Sequence, residues 1–151
     1  MRRFAYVVQT VLGLLFRHPL LGVCLIPILE DGQIVLVKRR DNGCWSLPGG
    51  MVDWGEQIQD SISRELTEET GLTLERIGRC VGVYSDPYRD PRVHSICLTF
   101  EIHVQGELKV HDIHEIAEAN VFALDQAAQM PLSHDHTQQL ADYLQGQWVI
   151  R

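Results

Sequence analysis

The stretch from Gly50 to Leu72 constrains this chain more than any other part of it. Ile58, Ile62 and Leu66 recur every four residues and Gly71 supplies a stop, so a helix is expected over residues 57–70. At about 100° per residue, Glu65, Glu68 and Glu69 fall on one side of that helix. Ile62 and Leu66 lie next to Glu69 on the same wheel, while Gln59, Asp60, Ser63 and Thr67 take the outer face. Three carboxylates therefore border the inward, apolar stripe. Like charges at this spacing repel, and partial burial strengthens the repulsion. Arg64 neutralises only part of it. Oxygen ligands suit a hard divalent cation, so Mg²⁺, or Mn²⁺ in its place, is the expected compensation.

The rest of the chain supplies a scaffold. Its 151 residues fit one domain large enough to bury a core without staples. An apolar fraction of 45% and a charged fraction of 22% exclude a disordered chain, a collagen-like chain and a disulfide scaffold. Cys24, Cys44, Cys80 and Cys97 form no CxxC pair and have no histidine at zinc-finger spacing, so free thiols in a reducing, cytoplasmic setting are expected. Apolar runs at residues 20–29 and 34–37, with Glu30-Asp31-Gly32 between them, predict a hairpin. Residues 45–47 are a short extended piece, and Pro48-Gly49-Gly50 is expected to stop it. Residues 74–85 and 93–104 read as strands, residues 120–124 as a late strand and residues 134–144 as a closing helix, with Leu140, Tyr143 and Leu144 as its apolar stripe. Strands with helices between and after them predict a mixed α/β sandwich.

Residues 1–18 stand apart. Phe4, Val7, Val8, Val11, Leu14 and Leu15 repeat at helical spacing between Arg2-Arg3 and Arg17-His18. The run is too short to span a bilayer and has no cleavage site. An amphipathic helix is expected, packed on the domain formed by residues 19–151 or on a second subunit. A helix lying on a membrane surface is the alternative.

The segment Gly50, Glu56, then Arg64-Glu65-Leu66-Thr67-Glu68-Glu69-Thr70-Gly71-Leu72 resembles the Nudix box at every defined position. The resemblance implies an α/β/α sandwich with a mixed sheet, in which the box forms a loop-helix-loop, and hydrolysis of a nucleoside diphosphate linked to some group X. It implies that Glu68 and Glu69 bind metal, commonly joined by the Gly49 carbonyl, and that Glu65 contributes to the metal site and in some members acts as base. Glu56 is a further metal partner, often through water, and Arg64 orients the glutamates. The chemistry would be in-line attack of water on a pyrophosphate phosphorus, with the cations supplying the positive charge that an acidic chain lacks. For the base, Glu107, Asp112, Glu115 and Glu118 are candidates. Glu118 is favoured and Glu115 comes next, because both stand just before the late strand, where many relatives carry a further metal-binding glutamate.

Residues 85–94 address X. Pro87 and Pro91 stiffen this loop, Arg89 and Arg92 offer forked donors to phosphate or ribose oxygens, and Tyr88 could stack on a base. Pro87 stands where it does in the ADP-ribose pyrophosphatases of the family, which this loop resembles. Positions 89 and 90 hold Arg and Asp instead of the tyrosine that would suggest dinucleoside polyphosphates. The expected reaction is ADP-ribose to AMP and ribose 5-phosphate. Oxidised nucleoside triphosphates and other nucleotide sugars are alternatives, as is a non-catalytic nucleotide sensor. Trp45 and Tyr84 could flank a base or serve as core aromatics. A net charge of −7 argues against nucleic acid as a partner. A homodimer is a further expectation from the resemblance.

Overall fold

The computed structural model describes residue 10 and residues 18–151. The helix expected over residues 1–18 falls almost wholly outside that set, and with it the membrane-surface reading. Among the described residues no helix is long and apolar enough to cross a membrane.

The elements run β1 (Leu20–Ile28), β2 (Ile34–Arg39), β3 (Trp45–Ser46), β4 (Gly49–Met51), α1 (Ile58–Thr70), β5 (Thr73–Tyr84), β6 (Ser95–Gln105), β7 (Ile116–Phe122), α2 (Leu124–Ala127), α3 (His136–Leu144) and β8 (Val149–Ile150). They build an 8-stranded mixed sheet in the order β3-β2-β1-β6-β5-β8, with β4 pairing β1 and β7 pairing β2. The predicted hairpin is β1–β2, antiparallel through Ile28 and Ile34. β1 also runs parallel to β6, from Leu20 opposite Ser95 to Ile28 opposite His103.

The sequence of β1 explains its central place. Its continuous apolar run is buried on both faces, as expected for a strand covered from two sides. Val23 and Leu25 enter one core with Ile62 and Leu66 of α1. Cys24 and Ile26 enter a second core with Leu140 of α3. Leu25 and Ile26 have no exposure at all, and burial of each contributes roughly 1.5–3 kcal/mol. The two cores, one on each face, make the expected α/β/α sandwich.

Three expectations need correction. Gly49 and Gly50 do not end the extended chain: both belong to β4, paired with Cys24 and Val23 of β1. A Cβ on Gly49 would overlap the Val23 carbonyl, so only glycine permits this approach. The late strand starts at Ile116, not at residue 120, and the closing helix starts at His136, with Asp135 at its N-cap and Leu144 exposed. Trp45 packs edge-on against Phe122 and Tyr84 is buried with its hydroxyl on Asp142, so both are core aromatics. All four cysteines are free, Cys24 and Cys97 being buried.

Candidate active site

Helix α1 presents its carboxylates in three different environments. Glu69 is 3% exposed and its Oε2 accepts the Gly49 N–H at 2.9 Å. Burial, reinforced by the charges of Glu65 and Glu115, pushes its pKa up to about 8. Glu65 lies against the backbone of Gly50, where a Cβ would stand 2.5 Å from its Cδ. Burial raises its pKa against the pull of Arg64. Glu68 is exposed.

Arg64 ties this group together. Its Nε and Nη2 donate to Glu56 at 2.9 Å each, its Nη1 to Glu65 at 2.6 Å and to Glu68 at 3.4 Å, and its Nη2 also to the Met51 carbonyl. Glu56 also accepts from the Ser61 hydroxyl and the Asp53 N–H. The bonds from Arg64, then Ser61, hold its pKa down to about 2.

The chain between β6 and β7 closes over the end of α1. The His111 and Asp112 N–H groups donate to the Glu68 carbonyl at 2.8 Å, and Lys109 N–H to that of Thr70. These bonds satisfy carbonyls left open at the helix terminus. They also deliver Asp112 and Glu115 to a cavity of about 590 Å³, which Glu65 and Glu68 line too. That volume suits a small-molecule site.

Glu118, the favoured base in the sequence, is not part of this lining. The early start of β7 puts it on the strand, opposite Lys38 of β2, whose Nζ is 3.7 Å away. Glu107 is likewise outside the cavity, whereas Asp112 and Glu115 line it.

Another part of the lining carries guanidinium and imidazole groups. Arg39, Arg89, Arg92, His134 and His136 contribute to it. Arg89 is largely committed within the protein. Its Nε and Nη2 grip the Asp135 carboxylate at 2.9 and 2.8 Å, and its Nη1 donates to Ser95 at 2.7 Å. Arg92 is half exposed and shared between Asp90 and Asp41. Tyr88, 90% exposed, and Pro87 do not line the cavity.

Sequence reasoning missed Arg39, Asp41 and the run His134-Asp135-His136. His136 Nδ1 accepts the Leu47 N–H at 3.1 Å, which fixes the ring proton on Nε2, 3.7 Å from the Cys24 sulfur. Its other contact is the Ser46 hydroxyl at 3.0 Å. Burial lowers the pKa of this imidazole to about 3. A His-Asp-His run just ahead of a helix was the only local signal available.

The donor set can be tested for a cation. Among the described residues no three His, Cys, Asp or Glu side chains are already gathered as a ligand group. The chemistry nevertheless fits. Hard carboxylate oxygens from Glu65, Glu68, Glu69, Asp112 and Glu115 surround or adjoin one cavity, and the buried members have raised pKa values that a cation would reverse.

A mixed sheet between two helical layers, with a glycine corner seated on a glutamate-bearing helix beside a small-molecule cavity, defines a hydrolase architecture that recurs among known structures. The profile of the NUDIX domain matches residues 18–143. The chain is 41% identical to an ADP-ribose pyrophosphatase from Methanocaldococcus jannaschii over 134 residues, 86% of this chain and 76% of the relative. It is 44% identical to a putative 8-oxo-dGTP diphosphatase from Bacillus subtilis over 66 residues, 44% of each chain. Among solved structures, a MutT NUDIX hydrolase from Burkholderia pseudomallei superposes with a TM-score of 0.71 at 32% identity, over 83% of this chain and 98% of that one. The NUDIX domain of Shewanella oneidensis NrtR, solved with ADP ribose, gives 0.77 at 24% identity over 87% and 90%, a likeness of fold. The chain belongs to the Nudix family and is a Nudix pyrophosphohydrolase.

Proposed function

We propose that this enzyme hydrolyses the pyrophosphate of ADP-ribose, giving AMP and ribose 5-phosphate, with Mg²⁺ or Mn²⁺ as cofactor. The observation that carries the reading is one cavity lined in part by carboxylates and in part by guanidinium and imidazole groups. The likeness to the M. jannaschii pyrophosphatase over most of both chains supports the substrate.

Glu65, Glu68 and Glu69, with the Gly49 carbonyl, would hold the cations. When bound, such ions lower the pKa of the attacking water and offset charge on the leaving phosphate. Glu56 spends its oxygens on Arg64, Ser61 and Asp53, so it supports the site by fixing Arg64. Arg64 in turn sets the Glu65 carboxylate. Glu115, on the cavity lining, would take the proton of the attacking water, and Asp112 accepts the Glu115 N–H at 3.2 Å. Arg92, half exposed on the cavity lining, would meet a phosphate oxygen.

The test is hydrolysis of a panel with Mg²⁺: ADP-ribose, other nucleotide sugars, dinucleotides and oxidised nucleoside triphosphates, for wild type and Glu69→Gln. ADP-ribose should lead and Glu69→Gln should abolish turnover. If a triphosphate leads, the substrate reading fails while the site stands. If ligands bind without turnover, the chain is a nucleotide sensor.

A further inference from the structure

The function proposed above leaves His134 unused. Among the described residues it is the one non-glycine residue with a positive φ, 54°. Its Nε2 is also the one buried side-chain nitrogen or oxygen among them that lacks a hydrogen-bond partner. Each feature costs free energy: a left-handed backbone crowds Cβ, and a buried polar atom without a partner loses its hydration.

Both costs persist because the neighbours are fixed. Asp135 is gripped by two nitrogens of Arg89. His136 is held by Leu47 and Ser46, and its ring stands edge-on to that of His134, centroids 6.0 Å apart. On the other side Ser133 donates its N–H to the Trp45 carbonyl at 2.8 Å and its hydroxyl oxygen accepts from Asn42 at 2.8 Å, so His134 sits between anchored residues, on the cavity lining. Strain that the surroundings over-determine in this way is a mark of binding sites.

We propose that His134 is a specificity residue that reads a ribosyl hydroxyl of the nucleotide: its ring lines the cavity, and a turn of that ring when substrate fills the cavity brings Nε2, here closed off, to exchange a hydrogen bond with that hydroxyl. This rests on the nucleotide reading above and extends it. The charges that act on it most are those of Asp90, Arg92, Arg39 and Asp41. Burial, with Arg92 and Arg39, lowers its pKa against the opposing charge of Asp90, so the ring is neutral. A neutral imidazole competes poorly with the adjacent Arg92 guanidinium for a phosphate. A hydroxyl both donates and accepts, so it pairs with Nε2 in either tautomer.

The experiment compares wild type, His134→Gly and His134→Gln by steady-state kinetics and thermal melting. The substrates are ADP-ribose and analogues lacking one hydroxyl of either ribose. His134→Gly should raise KM for ADP-ribose about tenfold with a smaller effect on kcat, the worth of one hydrogen bond. For the analogue lacking the contacted hydroxyl, the KM values of wild type and variant should coincide. The melting temperature of His134→Gly should hold or rise, since glycine adopts this φ freely and the unpartnered nitrogen is gone. His134→Gln should fall between the two in KM. An unchanged KM, an equal rise for every analogue, or a lowered melting temperature with parallel loss of kcat overturns the inference while leaving the function intact. A wild type that turns over no nucleotide of the panel overturns the function and takes the inference with it.

Discussion

Removing the His136 imidazole should change how stability depends on pH, and the sign and size follow from its surroundings. In the folded chain the ring accepts from the Leu47 N–H and gives its own proton toward Cys24, so it is neutral, with a pKa lowered from 6.5 to about 3 by burial. Between those values the unfolded chain binds a proton that the folded chain does not. Stability from this group is therefore complete above pH 6.5 and is lost as pH falls toward 3. Each pH unit inside that window costs about 1.4 kcal/mol, so the loss by pH 5 is about 2 kcal/mol. His136 keeps some exposure, which makes this figure an upper bound. Urea unfolding of wild type and His136→Gln at pH 7.5 and pH 5 measures it. The variant should be less stable at pH 7.5, because the Leu47 N–H loses its acceptor, a cost of about 1–3 kcal/mol. The gap between the two proteins should then narrow by up to about 2 kcal/mol at pH 5. Taking the difference removes the carboxylates, of which Glu65 and Glu69, with raised pKa values, act in the opposite direction. A gap that does not change with pH would refute the neutral, buried ring.

Three further outcomes test the site. Gly50→Ala pushes a methyl into the Glu65 carboxylate, a side chain that can swing aside, so hydrolysis should fall at least tenfold with a stability cost of about 1–3 kcal/mol, read by kinetics and circular dichroism melts. Glu115→Gln should lower kcat by roughly 10²–10⁴ as the loss of a general base, whereas Glu118→Gln should leave it within about twofold; equal effects would return the base to β7. Arg89→Met should destabilise the fold by about 3–5 kcal/mol in chemical denaturation by stranding Asp135, while Arg92→Gln, half exposed, should leave stability nearly unchanged and raise KM.

The parts of this protein that show in its sequence are those whose partners are close along the chain. Ile62, Leu66 and the three glutamates lie within three turns of one helix, so their spacing alone displays both the buried face and the carboxylate edge. The two-sided burial of β1 is likewise written in its unbroken apolar run. β4 escaped notice because Gly49 and Gly50 pair through backbone alone, and glycine has no strand propensity to register. β7 was read short because it pairs along the sheet edge with only Ile116 fully buried, so its first residues show no clear alternation. That shortening carried the base assignment with it: with the strand begun at residue 120, Glu118 counted as loop, and with it begun at Ile116 the loop ends at Glu115. The part of the cavity that carries guanidinium and imidazole groups could be read only in part: Arg92 shows in the sequence, the commitment of Arg89 does not. Arg89 looked like a substrate ligand because its partner, Asp135, lies 46 residues away on the threshold of α3. Until the sheet brings the two together, an arginine committed to the protein and one free for the substrate are indistinguishable. His134 extends the same argument. Its backbone strain and unpartnered nitrogen persist because Trp45 holds Ser133 on one side and Arg89 holds Asp135 on the other. The residues proposed to select the substrate therefore depend on contacts between segments far apart in sequence, while the box glutamates are set by the period of a single helix.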